Sequence, residues 1–337
     1  MLSLMAAVLV ATGCPDTPDK PDEPEIHAIE VDFAKGADVS WLTQMEKEGC
    51  QFQDAAGTRT ECMALLKSLG MNAIRLRVWV NPEGGWCGRE DFLAKARRAN
   101  DLGMALMVDF HYSDWWADPG KQNKPAAWSA LPFEELKKAL ADHTYNTLVA
   151  LEKEGIAPQW IQIGNETTNG MLWPDGSNSS SFDKYVQLNN AGYDAARRVF
   201  PKARILIHVD NGYDKARFKW FFDAVTRCGG KYDMVGMSLY PDKDNWQSMV
   251  DKTVANIEHV HSAYGKECII CEVGMSWDEP DACFSFISEL ITKSKATGKC
   301  RGVLYWEPEG YVAWSHYTKA AFDNDGKPTR ALDAFKN

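Results

Sequence analysis

The sequence predicts a single (β/α)8 barrel, and three observations carry that reading. The chain has 337 residues, of which 45% are hydrophobic. A barrel of this class typically occupies about 250 residues, and more with insertions. Short apolar runs recur along the chain, each followed by a helical pattern, and most are continuously apolar instead of alternating. Parallel strands covered by helices read this way. Eight such units in series argue for a closed ring over a doubly wound sheet. No Gly-rich phosphate loop follows any run, which removes a nucleotide-binding reading.

Taken in order, the strand candidates are 36–40, 73–80, 105–111, 160–164, 205–209, 234–239, 268–273 and 302–306. Between them, Cys62, Leu65, Leu66 and Leu69 follow the spacing of one helix face, as do Phe218, Phe221, Phe222 and Val225. Further helices are expected over 90–102, 134–153, 182–200, 246–264, 282–296 and 329–335. Gly70, Gly103, Gly155, Gly265 and Gly298 each follow a helical segment and suit C-terminal caps.

Ahead of the barrel, residues 2–11 form an uncharged apolar run, too short for a bilayer span of about 20 residues but suited to a secretory signal. The run ends in Ala11-Thr12-Gly13-Cys14, which resembles a bacterial lipobox, with Ala11 where Leu is usual and no Lys or Arg upstream. Residues 15–25 contain four prolines, five acids and one lysine, a composition with little to bury. An acidic tail behind such a cysteine is similar to surface lipoproteins of the Bacteroides type. The expected organisation is a signal segment (1–14), a disordered tether (15–32) and a catalytic barrel (33–337). It implies an exported protein, either a cell-surface lipoprotein that meets the membrane only through a lipid on Cys14 or a simply secreted one, and a monomer is expected.

The formal net charge is −10, with no basic footprint for nucleic acid, and it favours a neutral substrate over a polyanion. The eight cysteines beyond Cys14 permit disulfides whose pairing the sequence does not give. Cys268 and Cys271 have metal spacing, but no second CxxC or HxxxH accompanies them, so buried thiols or one disulfide are expected. His111 and His208 are candidate metal ligands, but no HxH pair ends a strand, and no metal or other cofactor is expected. Asp323-Asn-Asp-Gly326 has the flavour of a calcium loop but lacks its twelfth-position Glu, so it reads as a turn.

In such a barrel the active site forms where strands end and βα loops begin. The strand ends carry Asp38 and Trp41; Arg75, Arg77 and Trp79; Asp109, His111, Asp114, Trp115 and Trp116; Asn165 and Glu166; His208, Asp210 and Asn211; Tyr240; Glu272; and Trp306 with Glu307. Two carboxylates stand out. Glu166 ends an apolar strand, and Glu272 interrupts one, where an unpaired charge is very costly unless it points into the barrel mouth. Glycoside hydrolysis needs such a pair, one as general acid and base and, in retaining enzymes, one as nucleophile about 5–5.5 Å away. Strands four and seven lie across the ring from one another. Arg75 or Arg77, with Tyr240, is placed to keep Glu272 ionised, and burial to keep Glu166 protonated.

The motifs resemble clan A of the retaining glycosidases and, more narrowly, glycoside hydrolase family 53, the endo-β-1,4-galactanases. The matching stretches are Gly36-Ala-Asp-Val-Ser-Trp41, Ile74-Arg-Leu-Arg-Val-Trp79, Asp109-Phe-His-Tyr-Ser-Asp-Trp-Trp-Ala-Asp-Pro-Gly120, Ile163-Gly-Asn-Glu-Thr-Thr-Asn-Gly170, His208-Val-Asp-Asn-Gly212, Gly236-Met-Ser-Leu-Tyr-Pro241, Cys271-Glu-Val-Gly274 and Tyr305-Trp-Glu-Pro308. The resemblance covers about residues 33 to 337 and rests on the order of these motifs more than on any one. It implies a double displacement on β-1,4-galactan or type I arabinogalactan, with Glu166 as acid/base and Glu272 as nucleophile. It further implies that Asn165 bonds the sugar 2-hydroxyl and that Arg75 or Arg77, Tyr240 and Trp306 shape the site. Asp109, His111, Asp114 and Trp115 would line the groove. Asp38, Trp79, His208 and Asp210 complete the candidate substrate-binding set. The alternatives are another clan A activity, such as β-mannanase or xylanase, and a non-catalytic carbohydrate-binding lipoprotein.

Overall fold

The computed structural model describes residues 26–336. The signal segment, Cys14 and most of the expected tether lie outside the described residues. Eight strands form the barrel: β1 (Ala34–Asp38), β2 (Ala73–Val78), β3 (Ala105–Phe110), β4 (Trp160–Ile163), β5 (Arg204–Val209), β6 (Met234–Leu239), β7 (Glu267–Val273) and β8 (Cys300–Trp306). All pair in parallel, each with its successor, and β8 closes on β1. The main connecting helices are α1 (Cys62–Ser68), α2 (Arg89–Asp101), α3 (Phe133–Lys153), α4 (Asp183–Val199), α5 (Lys215–Arg227), α6 (Trp246–Tyr264) and α7 (Pro280–Ala296).

Each predicted strand and helix is present within a few residues of its expected limits, with one change of type. The last segment, Arg330–Phe335, is a 3₁₀ helix packed beside α7. So short a segment gains little from α geometry, and the tighter i to i+3 bonding suits it. Helix ends follow local chemistry. The Asp214 side chain accepts from the Arg217 N–H at the start of α5. Gly265 ends α6 in the left-handed region at φ 66°, which a side chain would disfavour.

The strands divide two cores. Ile74, Leu76, Val108, Ile161 and Ile207 face the helices. Ala34, Ala73, Ala105, Trp160, Ile269 and Leu304 belong to a separate cluster that fills the barrel. Three alanines make room for Trp160, which is fully enclosed. Ile29 and Val31 pack against this cluster, and Val31 exchanges hydrogen bonds of 3.0 and 2.9 Å with the Gln159 amide. These residues were expected in the tether. The apolar Ile-Val pair, unlike the Pro-Asp repeat before it, has surface to bury.

The eight cysteines of the described residues are all free thiols, Cys268 and Cys271 among them. Asp323 forms a turn, its Oδ1 accepting from Asp325 N and Lys327 N at 2.9 Å each. Among the described residues, no helix is long and apolar enough to cross a membrane.

Candidate active site

Glu272 reaches the barrel mouth through a break in strand regularity. On β7, Ile269 and Cys271 belong to the inner cluster, while Ile270 and Val273 face the helices. Strict alternation would therefore turn Glu272 outward. The register between β6 and β7 shifts here: Met237 pairs with Ile270, and Ser238 with Glu272. Cys271 is the extra residue of a bulge, and Glu272 is re-aimed inward behind it.

Inside, Arg75 meets three carboxylates. Its Nη1 lies 2.8 Å from Asp38 Oδ2 and 3.0 Å from Glu272 Oε1, and its Nη2 lies 2.8 Å from Asp109 Oδ2. Burial opposes the guanidinium charge, but Asp109, Glu272 and Asp38 outweigh it and hold Arg75 cationic. Asp109 is buried as well, yet Arg75 and His111 keep its carboxyl below the ordinary carboxylate range. His111 Nε2 lies 2.9 Å from Asp109, and its Nδ1 faces the Trp79 indole N–H at 3.3 Å.

Glu166 follows Gly164-Asn165 beyond β4, in the left-handed region at φ 44°. A non-glycine residue held there stores strain, which loops accept where a side chain must be aimed. Gln122 fastens this corner by donating to Asn165 O at 2.8 Å. Glu166 Oε1 lies 2.7 Å from Ser238 Oγ, and Ser238 Oγ lies 2.8 Å from His208 Nε2. Tyr240 OH donates to Glu272 Oε2 at 2.8 Å. Burial lifts both carboxyls above the ordinary range, and Glu272 lifts Glu166 further. The rise is larger for Glu166, because Arg75, which opposes it at both, lies against Glu272, where Tyr240 opposes it as well. The pair thus holds its proton on Glu166 and its charge on Glu272.

Both carboxyls open into one cavity of about 550 Å³. Trp41, Trp116 and Trp306 form one aromatic wall, each ring centroid within 5.6 Å of the next. Arg77 stacks behind it, 4.2 Å from the Trp116 ring, and pairs with Glu307. The loop after β8 adds Tyr317, its ring 4.7 Å from Trp306, and Lys319 to the lining.

Known proteins of similar sequence and shape share this arrangement's frame. The profile of Glycosyl hydrolase family 53 matches residues 34–284. The chain belongs to that family. A probable arabinogalactan endo-β-1,4-galactanase A of Neosartorya fischeri is 33% identical over 81% of this chain and 83% of its own length. The endo-β-1,4-galactanase of Bacillus subtilis is 29% identical over 84% of this chain and 72% of its own. Among solved structures, a fungal β-1,4-galactanase superposes with TM-score 0.81 at 27% identity, covering 90% of this chain and 98% of that one. The Ignisphaera aggregans GH53 catalytic domain gives 0.79 at 29%, covering 93% and 98%. A xylanase of Thermoanaerobacterium saccharolyticum, at 17% identity and TM-score 0.63, shares the fold.

In this family 53 barrel, the candidate residues sort by depth. His111, Asn165, Glu166, Tyr240, Glu272 and Trp306 line the cavity. Asp38, Arg75, Asp109 and His208 lie fully enclosed beneath it, and reach substrate only through other groups. Of the two arginines, Arg75 is the one paired with Glu272. Trp79 is buried behind Trp115, which stands 58% exposed at the rim. Asp114 fastens loops by accepting from Asn81 N at 2.8 Å and Ala126 N at 2.9 Å, and Asp210 holds Thr168 and Arg217. These two secure the frame instead of lining the cavity. Sequence reasoning missed Ser238, Gln122, Gln162, Tyr317 and Lys319. Ser238 was within reach, since it shares strand parity with Tyr240. The other four sit where only the packed loops and strands bring them together.

Proposed function

We propose that this glycoside hydrolase cleaves β-1,4-galactosidic bonds within galactan and type I arabinogalactan, with retention at the anomeric carbon. Glu272 is the nucleophile and Glu166 the acid/base. The observation that carries the assignment is the opposed setting of two carboxyls in one cavity. Arg75 and Tyr240 hold Glu272 as an anion, and burial beside that anion keeps the proton on Glu166. Glu166 sits on Ser238, whose strand neighbour is Glu272. Adjacent strands lie about 4.8 Å apart, which supports the short carboxyl separation of a retaining enzyme over the wider gap that seats a water in an inverting one.

In the first step Glu272 attacks the anomeric carbon while Glu166 protonates the departing oxygen. In the second, Glu166 takes a proton from water, which displaces Glu272. Asn165 Nδ2 donates to Ala117 O at 2.9 Å and keeps a second N–H for the sugar 2-hydroxyl. Trp306, Trp116 and Trp41 offer flat apolar faces to the sugar rings. The galactanases named above support galactan as substrate, and the chain's acidity fits a neutral polymer.

The test is reducing-sugar release from linear β-1,4-galactan, compared with mannan and xylan. Glu166→Gln is expected to lower kcat on galactan by about 10²–10⁴-fold. Glu272→Gln is expected to leave no measurable turnover, with galactan binding retained in both. Substantial activity in both variants, or a preference for mannan or xylan, sinks the reading. Export, lipid attachment at Cys14 and a monomeric state belong to the same proposal. Labelling of Cys14 with a palmitate analogue and light scattering are the measurements that address them.

A further inference from the structure

The hydrogen-bond directions beside Glu166 can be assigned one after another from a fixed end. Asn165 Nδ2 donates to a backbone carbonyl, so the amide orientation is set. Its Oδ1 accepts from Arg75 Nη2 at 2.8 Å and from Gln162 Nε2 at 3.0 Å. The third neighbour of Oδ1 is His208 Nδ1 at 3.0 Å. An amide oxygen has no proton to give, so His208 Nδ1 must carry one and donate it.

His208 is fully enclosed, and burial, with Arg75 nearby, holds its imidazole well below the usual histidine range, so the ring is neutral. A neutral ring with a proton on Nδ1 has a bare Nε2. The contact at 2.8 Å from Nε2 to Ser238 Oγ is then a hydrogen bond donated by the serine. Ser238 has a single hydroxyl proton, and that proton is now committed. The remaining contact, 2.7 Å between Ser238 Oγ and Glu166 Oε1, requires its proton from Glu166.

We propose that Ser238 and His208 form a directional hydrogen-bond relay that stores the catalytic proton on Glu166, which makes both of them positioning residues of the acid/base. The proposal rests on the assignment of Glu166 as acid/base. Asn165, oriented by Arg75 and Gln162, sets the direction of the relay. When Glu166 passes its proton to the departing sugar oxygen, Ser238 stays turned to His208. The new carboxylate then lacks a donor from that side, and is the stronger base toward water in the second step.

Other charges also act on these groups. Glu166 faces Glu272 from β7, Asp210 from the end of β5 and Arg75 from β2. Tyr240 and Tyr317 stand near both carboxyls, and His111, Asp118, Lys121, His316 and Lys319 share the cavity. His208 faces Arg75, Asp109 and His111. All of them persist in a Ser238 variant, so the sign of the change isolates the relay.

The experiment is the pH profile of kcat/KM on galactan for Ser238→Ala. The basic limb marks loss of the Glu166 proton. A serine that accepts from the acid stabilises its protonated form. Its removal moves the limb to lower pH, by about one unit. A serine that donates to a carboxylate predicts the opposite, and an upward or absent shift overturns the relay. A second measurement needs no variant to be active. The ¹⁵N resonances of His208 in the wild-type protein, assigned by their loss in His208→Gln, report the tautomer. The relay requires a proton on Nδ1 and none on Nε2 throughout the active pH range, and a protonated Nε2 overturns it. If the tautomer is as stated and galactan is not cleaved, the galactanase reading fails and the relay stands. If galactan is cleaved and the limb rises, the relay alone fails.

Discussion

Glu309 shows what burial does to a carboxyl that has no partner. It lies in the turn after β8, fully enclosed, and no other described residue hydrogen-bonds either carboxyl oxygen. Burial lifts it well above the ordinary range, with Asp38 adding to the rise and its own backbone N–H, Arg77 and Lys95 too weak to reverse it. The consequence for stability has a definite sign. An unfolded chain ionises this group at about pH 4.3, while the folded chain resists, so the unfolded state gains with every step of pH above that value. Glu309→Gln removes the penalty. The variant is expected to unfold at higher urea concentration than the wild type, with a gain on the order of 1–3 kcal/mol at neutral pH. The gain shrinks toward zero as pH falls to the unfolded-chain value. A gain that stays constant from pH 4 to 8 contradicts the account. Glu272 has Arg75 and Tyr240 beside it, which offset much of the rise that burial imposes on both acids.

At the scale of elements, the bulge on β7 does the most to build the site. Gly236 on β6 makes room for it. A Cβ there would stand 2.7 Å from Leu206 Cδ1 and 2.8 Å from Cys271 Sγ, the extra residue of the bulge. Gly236→Ala is expected to cost about 1–3 kcal/mol of unfolding free energy through overpacking. It should lower kcat as well, since pressure on Cys271 is passed to Glu272. Cys271→Ala removes the sulfur, so the double variant is expected to lose less than the sum of the two single losses. A denaturation cycle on the four proteins measures that difference, and additive losses would mean that the two side chains do not press on each other. The same element marks the limit of what the sequence shows. Eight apolar runs with helices between them are a local signal, and they gave the ring and the strand ends. That Glu272 must point inward also followed from charge in an apolar stretch. How it does so depends on register against β6, a property of two strands that neither run carries. For Ser238 the sequence carried only the strand parity it shares with Tyr240. A serine in Met234–Leu239 looks like any small core residue until His208 and Glu166 close on it from other strands. Asp114 and Asp210 show the converse, because a polar residue at a strand end looks the same in sequence whether it faces substrate or, as here, takes hydrogen bonds from neighbouring loops and side chains.

The whole molecule explains why its cysteines stand apart. Small secreted domains rely on disulfides because they bury too little surface, whereas a domain of around 300 residues buries about three quarters of what its unfolded chain exposes. The barrel has two apolar cores, one inside the ring and one between strands and helices, and all eight cysteines of the described residues are free. Cys62, Cys87, Cys268, Cys271, Cys283 and Cys300 are buried, and Cys50 and Cys228 are partly exposed. Burial pushes the Cys283 thiol up to about 12 and the Cys300 thiol to about 11, so neither forms a reactive thiolate near neutral pH. Cohesion is therefore expected to be independent of redox state. Addition of a reductant should leave the unfolding temperature unchanged. A thiol-specific reagent applied to the native barrel should modify Cys50 and Cys228, and reach the six buried positions only with unfolding. A fall in the unfolding temperature on reduction would show that disulfides share in holding the ring closed, and peptide mapping of the non-reduced protein would then identify the pair.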